Sequence, residues 1–218
     1  MFDYRTDDRT PEEIEREIEA AGGLAQSTRE LIDAVIRSTV PDDELIAVRK
    51  EIDALTARLR TSQLAGPYGI AVTPDAVAHN HGNSVVGLRN AIAPPLTMQR
   101  SSEGRAWADF TLGAAYEGPP GLVHGGVSAL ILDQVCGETA AAGGAPGMTG
   151  RLTLSYRRGT PLGDLHAEGR IVKVEGIKTY VEAHISDAEG PTVYAEGLFI
   201  LPRWARELTD QPKPSTFE

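Results

Sequence analysis

Apolar residues follow two rhythms along this chain, with a stretch between them that follows neither. Up to about residue 66 the period is helical. In "TPEEIEREIEAAGG", Thr10 sits where an N-cap belongs, Pro11 opens the first turn, Glu13 completes a capping box, and Gly22-Gly23 reads as a stop. Ser27 and Glu30 form a second capping box leading into "LIDAVIRSTV", and Pro41 opens a third helix. In that third helix Leu45, Val48, Ile52, Leu55 and Leu59 are spaced 3, 4, 3 and 4 apart, a heptad-like seam facing one partner. Between Gly66 and Pro95 no period is visible, and Gly, Pro, Asn and His dominate. After Pro95 the period becomes that of strands. "LTMQRSSEGRAWADFTL" predicts a hairpin turning near Glu103-Gly104, with Trp107 and Phe110 as core candidates. One long apolar helix over about 124–142 follows, then four strands. In the first of these, Leu152, Leu154 and Tyr156 alternate with polar residues; tight turns fall at Glu175-Gly176 and at "DAEG" 187–190.

Short connections imply an antiparallel sheet, and a long apolar helix must be covered by it. The expected class is α+β, an antiparallel sheet wrapped around one central helix, with a helical extension at the N-terminus. The expected division is a helical extension at 1–66, a linker at 67–95, the sheet-and-helix domain at 96–202 and a tail at 203–218. The bland reading of the extension is a hairpin packed on the main domain or on a second subunit.

Composition narrows the classes. A net charge of −10 argues against nucleic acid as a partner, because phosphate binding needs clustered Lys and Arg. It leaves room for an anionic small molecule held by a few local bases. Over residues 1–60 acidic side chains outnumber basic ones, so the extension does not resemble a DNA-binding arm. No apolar run reaches the length of a membrane span, the N-terminus is acidic, and Cys136 is the single cysteine. A cytoplasmic protein without disulfides is the expectation. His79 and His81 in "HNHG" are two apart, as strand-spaced ligands can be, but no convincing third ligand accompanies them. They are read as part of a solvated loop, with no metal site.

The chemistry concentrates at "YEGPPGLVHGGVSALILDQVCG", residues 116–137. Val127, Ala129, Leu130, Ile131, Leu132 and Val135 make this a buried helix, yet Asp133 stands in its middle. A carboxylate there is costly unless something pairs with it or uses it. Gly125 and Gly126 open the helix, where backbone N–H groups lack partners and the dipole is positive. Such a start lets a ligand oxygen approach closely, as an oxyanion hole requires. His124 and Asp133 are nine residues apart. Nine helical steps turn by about 900° and rise roughly 13–14 Å, so the two point to opposite sides. A site using both ends must combine two chains, most simply a two-fold dimer with antiparallel helices. The same offset also fits two unrelated structural roles, a cap and a buried hydrogen-bonder.

"GPPGLVHGG" followed by Asp133, then a strand from near Thr149 into "LSYRRGTPLGD", resembles the hotdog-fold acyl-CoA thioesterases of the phenylacetate-pathway type. The resemblance runs from about Asn90 to Pro202, roughly half the chain. It implies a dimeric or tetrameric hydrolase acting on acyl-CoA with no added cofactor. In that likeness Asp133 is the catalytic carboxylate, nucleophile or general base. Gly125 supplies the oxyanion amide from the partner chain, with Gly126 beside it. His124 fixes that loop, Thr149 orients the attacking water, and Arg157 and Lys178 contact coenzyme A. The sequence departs from some members at Gly118, where they carry an asparagine or glutamine six residues before the histidine.

A thioester suits so small a set of groups, because its thiolate leaves without a general acid; an amide or alkyl ester would need one. A serine hydrolase would want a Gly-x-Ser-x-Gly elbow, which Ser128 lacks. Cys136 reads as a small buried filler. The remaining alternative is a non-catalytic acyl-CoA binding or regulatory protein of the same fold, which has no need of a costly carboxylate at position 133.

Overall fold

A computed structural model describes residues 4–74, 77–94, 96–203 and 216–217. Strand β1 (Tyr4–Thr6) precedes helix α1 (Pro11–Arg37) and helix α2 (Asp42–Arg60). Short strands β2 (Ile70–Val72) and β3 (Val77–His79) lead to the main sheet. That sheet is built from β4 (Gln99–Ser101), β5 (Arg105–Leu112), β6 (Met148–Tyr156), β7 (Gly163–Glu175), β8 (Lys178–Asp187) and β9 (Gly190–Ile200), with helix α3 (Gly125–Ala142) between β5 and β6. The order across it is β4-β5-β7-β8-β9-β6, every pairing antiparallel. This is the sheet around one helix that the short turns imply. Gly104, Gly176 and Gly190 take positive φ at the predicted turns.

Helix α3 buries Ile131, Leu132, Val135 and Cys136 completely against Ala108, Phe110, Ala167, Val181, Ile185 and Phe199 of the sheet. Each large apolar side chain so buried contributes about 1.5–3 kcal/mol. The helix lies so close to β7 that a Cβ on Gly169 would stand 2.3 Å from Thr139 Oγ1. Phe110 is in this core as expected. Trp107 is half-buried on the opposite face, because it is an odd number of residues from Phe110 and strand side chains alternate.

The N-terminal region departs from expectation in two places. The first capping box forms: Thr10 Oγ1 accepts from Glu13 N–H and Glu13 Oε2 accepts from Thr10 N–H. The helix then runs through Gly22-Gly23 without stopping. Gly22 leaves room for Leu88, whose Cδ1 would be 3.0 Å from a Cβ there; the glycine is a packing site. The second cap therefore does not exist, and Ser27 and Glu30 lie inside α1. Its end comes at Ser38, where the backbone turns extended before Pro41.

The segment that carries His79 and His81 is not a solvated loop. His79 and His81 are buried, with ring centroids 5.2 Å apart in an edge-on contact. Asn83 Oδ1 accepts from the N–H groups of Val85 and Val86, an Asx-type turn that drives Val85 into the main core. Strands β1, β2, β3 and β10 (Thr216–Phe217) make a second small sheet in that order. Arg29 of α1 donates to the Asn90 and Ala93 carbonyls, tying the extension to this segment. The tail expected at 203–218 falls mostly outside the described residues.

Candidate active site

The approach to α3 is stapled by its own backbone. Leu122 N–H donates to Pro119 O at 2.9 Å, with Pro120 and Gly121 (φ 73°) between them. That is a type II turn with proline and glycine where the turn requires them. Glu117 Oε1 accepts from Gly121 N–H at 2.7 Å, and His124 N–H donates to Tyr116 O at 2.9 Å. His124 is thereby held extended as the N-cap of α3, and its Nδ1 accepts from Gly126 N–H at 3.0 Å. An accepting Nδ1 puts the ring proton on Nε2. Val127 and Ser128 N–H groups turn to the His124 carbonyl. Among the described residues no acceptor meets the Gly125 N–H. Of the glycine pair, Gly126 has its amide engaged by the cap, and Gly125 presents the open one.

Tyr156, at the end of β6, donates its hydroxyl to Gly125 O at 2.8 Å, and its ring lies 3.5 Å from where a Gly125 Cβ would be. The strand alternation gives its parity but not this bond, which depends on how far α3 tilts toward β6. Gly118 has a steric reason as well: a Cβ there would be 2.7 Å from His124 Cα. An amide-bearing side chain has no room at this position in the present backbone.

Two turns further along α3, Asp133 is half-buried, and Thr149 Oγ1 donates to its Oδ1 at 2.8 Å. Thr149 stands at a bulge in β6, between Thr149 and Arg151, that re-aims its side chain. The second carboxylate of the helix behaves differently. Glu138 is buried, paired with Arg100 at 2.8 Å, and receives Gln134 Nε2 at 2.8 Å. No cation pairs with Asp133 among the described residues. The helix therefore carries one neutralised carboxylate and one held only by a hydroxyl. Cys136 is fully buried, and burial, helped by the charge of Asp133, pushes its thiol up to about 12. It is filler, with no thiolate at neutral pH.

Gly126, Leu130, Asp133 and Gly137 line one face of α3, spaced 4, 3 and 4. Gly126 and Leu130 are exposed, Leu130 by 39%, so this chain's own sheet leaves the N-terminal half of the face uncovered. Among the described residues strand β6 pairs only with β9, and its other edge is open.

Arg157 follows β6 directly, its guanidinium 5.8 Å from the Tyr194 ring centre. Lys178 opens β8 opposite Ile200, which in turn pairs with Met148 at the start of β6. The two bases thus lie at opposite ends of the sheet, roughly 26 Å apart along the strands. Within one chain Asp133 and Thr149 share an end with Lys178, and His124, Gly125, Tyr156 and Arg157 share the other.

The sequence profile of the thioesterase superfamily matches residues 120–194, which hold every one of these site residues. Mouse acyl-coenzyme A thioesterase THEM4 is 35% identical over 101 residues, 45% of this chain and 44% of that protein. The Xenopus laevis THEM4 is 34% identical over 104 residues, 45% of this chain and 46% of that protein. The chain spans less than half the length of these curated relatives. A crystal structure of a thioesterase superfamily protein is 32% identical, with a TM-score of 0.74, covering 91% of this chain and 94% of that one. That coverage takes in most of the N-terminal helices, so the extension is shared with that relative.

Proposed function

The chain belongs to the thioesterase superfamily, and from that premise we propose that it hydrolyses acyl-CoA thioesters at a site shared between two subunits. The observation that carries the reading is the split of the machinery along β6. Asp133 with Thr149 stands at one end and the open Gly125 amide at the other. Pairing the open edge of β6 with its copy, antiparallel about a two-fold axis, sets the acid end of one protomer beside the amide end of the partner. It also covers the exposed face of α3. Arg157 of one subunit and the partner's Lys178 then flank the same opening, suited to the phosphates of coenzyme A.

In the proposed reaction the acyl carbonyl oxygen sits against the Gly125 N–H, which stabilises the charge it gains. Thr149 occupies Oδ1 of Asp133, leaving Oδ2 for the chemistry. Oδ2 takes a proton from water as the water oxygen attacks the acyl carbon, or attacks that carbon itself and is freed by water in a second step. The C–S bond breaks and the electron pair leaves on sulfur. Both routes yield one carboxylic acid and one CoA, and neither calls for a metal or cofactor. No helix among the described residues is long and apolar enough to cross a membrane. The lone buried cysteine suits a reducing compartment such as the cytosol.

The test is thiol release from short, long and aromatic acyl-CoAs by the wild type and Asp133→Asn side by side. The substitution keeps the shape and removes the charge, and turnover is expected to fall by about 10²–10⁴-fold with CoA binding retained. Binding without hydrolysis by the wild type would make the protein a carrier or sensor of acyl-CoA.

A further inference from the structure

Among the described residues nothing buries helix α2. It is 19 residues long, about 28 Å, and none of its residues is buried. Its seam residues Leu45, Leu55 and Leu59 are 45%, 52% and 56% exposed, and Val48 and Ile52 are only half-covered. Helix α1 does not supply the cover, since its own Leu24, Val35 and Ile36 are also exposed. In proteins most helical stability comes from burying an apolar face, and α2 buries none of its own. The two ends of α2 carry opposite charge, Asp42, Asp43 and Glu44 in the first turn and Arg58 and Arg60 in the last, while Arg49, Lys50, Glu51 and Asp53 between them balance.

We propose that α2 pairs with α2 of a second copy of this chain, antiparallel, with the two-fold axis near Ile52. Spacing of 3 and 4 is the geometry by which two helices interdigitate side by side. An axis at Ile52 sets Leu45 against the partner's Leu59, and Val48 near the partner's Leu55, so the seam closes on itself over its whole length. The acidic turn of each helix then lies beside the basic turn of the other, twice, and the two macrodipoles oppose. A parallel pair would place acid beside acid, base beside base and dipole alongside dipole. The charge gradient therefore selects both the occupant, a second copy, and its direction. This contact is independent of the thioesterase chemistry, and the split site does not depend on it.

Engineered cysteines in the full-length chain provide the test, because the only native cysteine is buried and no position on α2 supports the core. Ile52→Cys is expected to form a disulfide-linked dimer under mild oxidation. Leu45→Cys and Leu59→Cys, each expressed alone, are expected to stay monomeric on a non-reducing gel. Co-expressed with different tags, they are expected to give a mixed 45–59 dimer as the main cross-linked species. Self-linking of Leu45→Cys would establish a parallel pair and overturn the proposal. Absence of any cross-link from Ile52→Cys and from the mixed pair would overturn it too, and assign the seam to another occupant. Thiol release from acyl-CoA is measured on the same samples, so a failure of the helix pairing and a failure of the hydrolytic reading are told apart.

Discussion

At both ends of β6 a hydroxyl reaches from the strand to α3, and the two do opposite things. Thr149 donates to a side chain, Asp133, and holds a charge in place. Tyr156 donates to a backbone carbonyl, Gly125 O, and holds a helix terminus in place. Among the described residues, one end offers a carboxylate with no cation beside it, and the other an amide with no acceptor. Each half is what the other lacks, and a single chain keeps them apart. In the dimer proposed above, the exposed face of α3 and the open edge of β6 belong to one arrangement, because the partner that would complete the site would also cover both.

The sharpest way to break this comparison is to disable one end in each of two chains. Gly125→Pro deletes the amide proton with little disturbance: proline suits the first helical position, and His124 at φ −60°, ψ 131° already has the extended conformation that precedes proline. The variant alone is expected to lose about 10²–10³-fold in kcat, the usual effect of one oxyanion donor. Co-expressed with Asp133→Asn, it is expected to recover about a quarter of wild-type activity, since half of a random mixture is mixed dimers with one intact site in two. Thiol-release assays on the separately tagged, co-purified mixture give the number. No recovery would mean that both ends of the site come from one chain.

A smaller effect sharpens the acid end. Thr149→Ala removes a hydrogen bond to a charged oxygen, and is expected to lower kcat by about tenfold, equivalent to about 1.4 kcal/mol, with KM little changed. A rise in KM with kcat intact would move Thr149 from orienting the carboxylate to binding the substrate.

How much of this is legible in the sequence differs between the same two ends. Asp133 stands out because a carboxylate in an apolar run is conspicuous, and the turn of an ideal helix already separates it from His124. Gly125 is legible as a helix start. Glu138 is a second carboxylate in the same helix, and periodicity alone gives no sign that Arg100, 38 residues earlier, neutralises it. Tyr156 is hidden for a related reason: its hydroxyl matters only through the distance between a strand end and a helix end. The glycine signals mislead where a missing side chain serves packing, as at Gly22 against Leu88. The histidines of 67–95 mislead because local composition says nothing about what folds over it. Pairings between residues far apart in the chain are what the sequence pattern leaves open.

The smallest predicted effect concerns what keeps the amide end in position. Two residues past Tyr156, Arg158 donates to Asp187 Oδ2 at 2.7 Å and to Gly190 O at 2.8 Å, locking the end of β6 to the β8–β9 turn. The hydrogen bond from Arg158, helped by the Glu189 N–H, holds the Asp187 carboxyl down at about 2. A carboxyl in the unfolded chain titrates near 3.9. Because the folded value is the lower one, the unfolded chain takes up the proton first as pH falls. The contribution of the clamp is therefore complete above about pH 4 and is lost as pH drops toward about 2. Asp187→Asn lacks this titration, so its melting temperature is expected to lie below that of the wild type at pH 5 and to converge on it by pH 2. Melting curves across that window test it. A gap of constant size from pH 5 to pH 2 would show that the clamp acts through shape alone, and that acid does not loosen the amide end before the rest of the sheet.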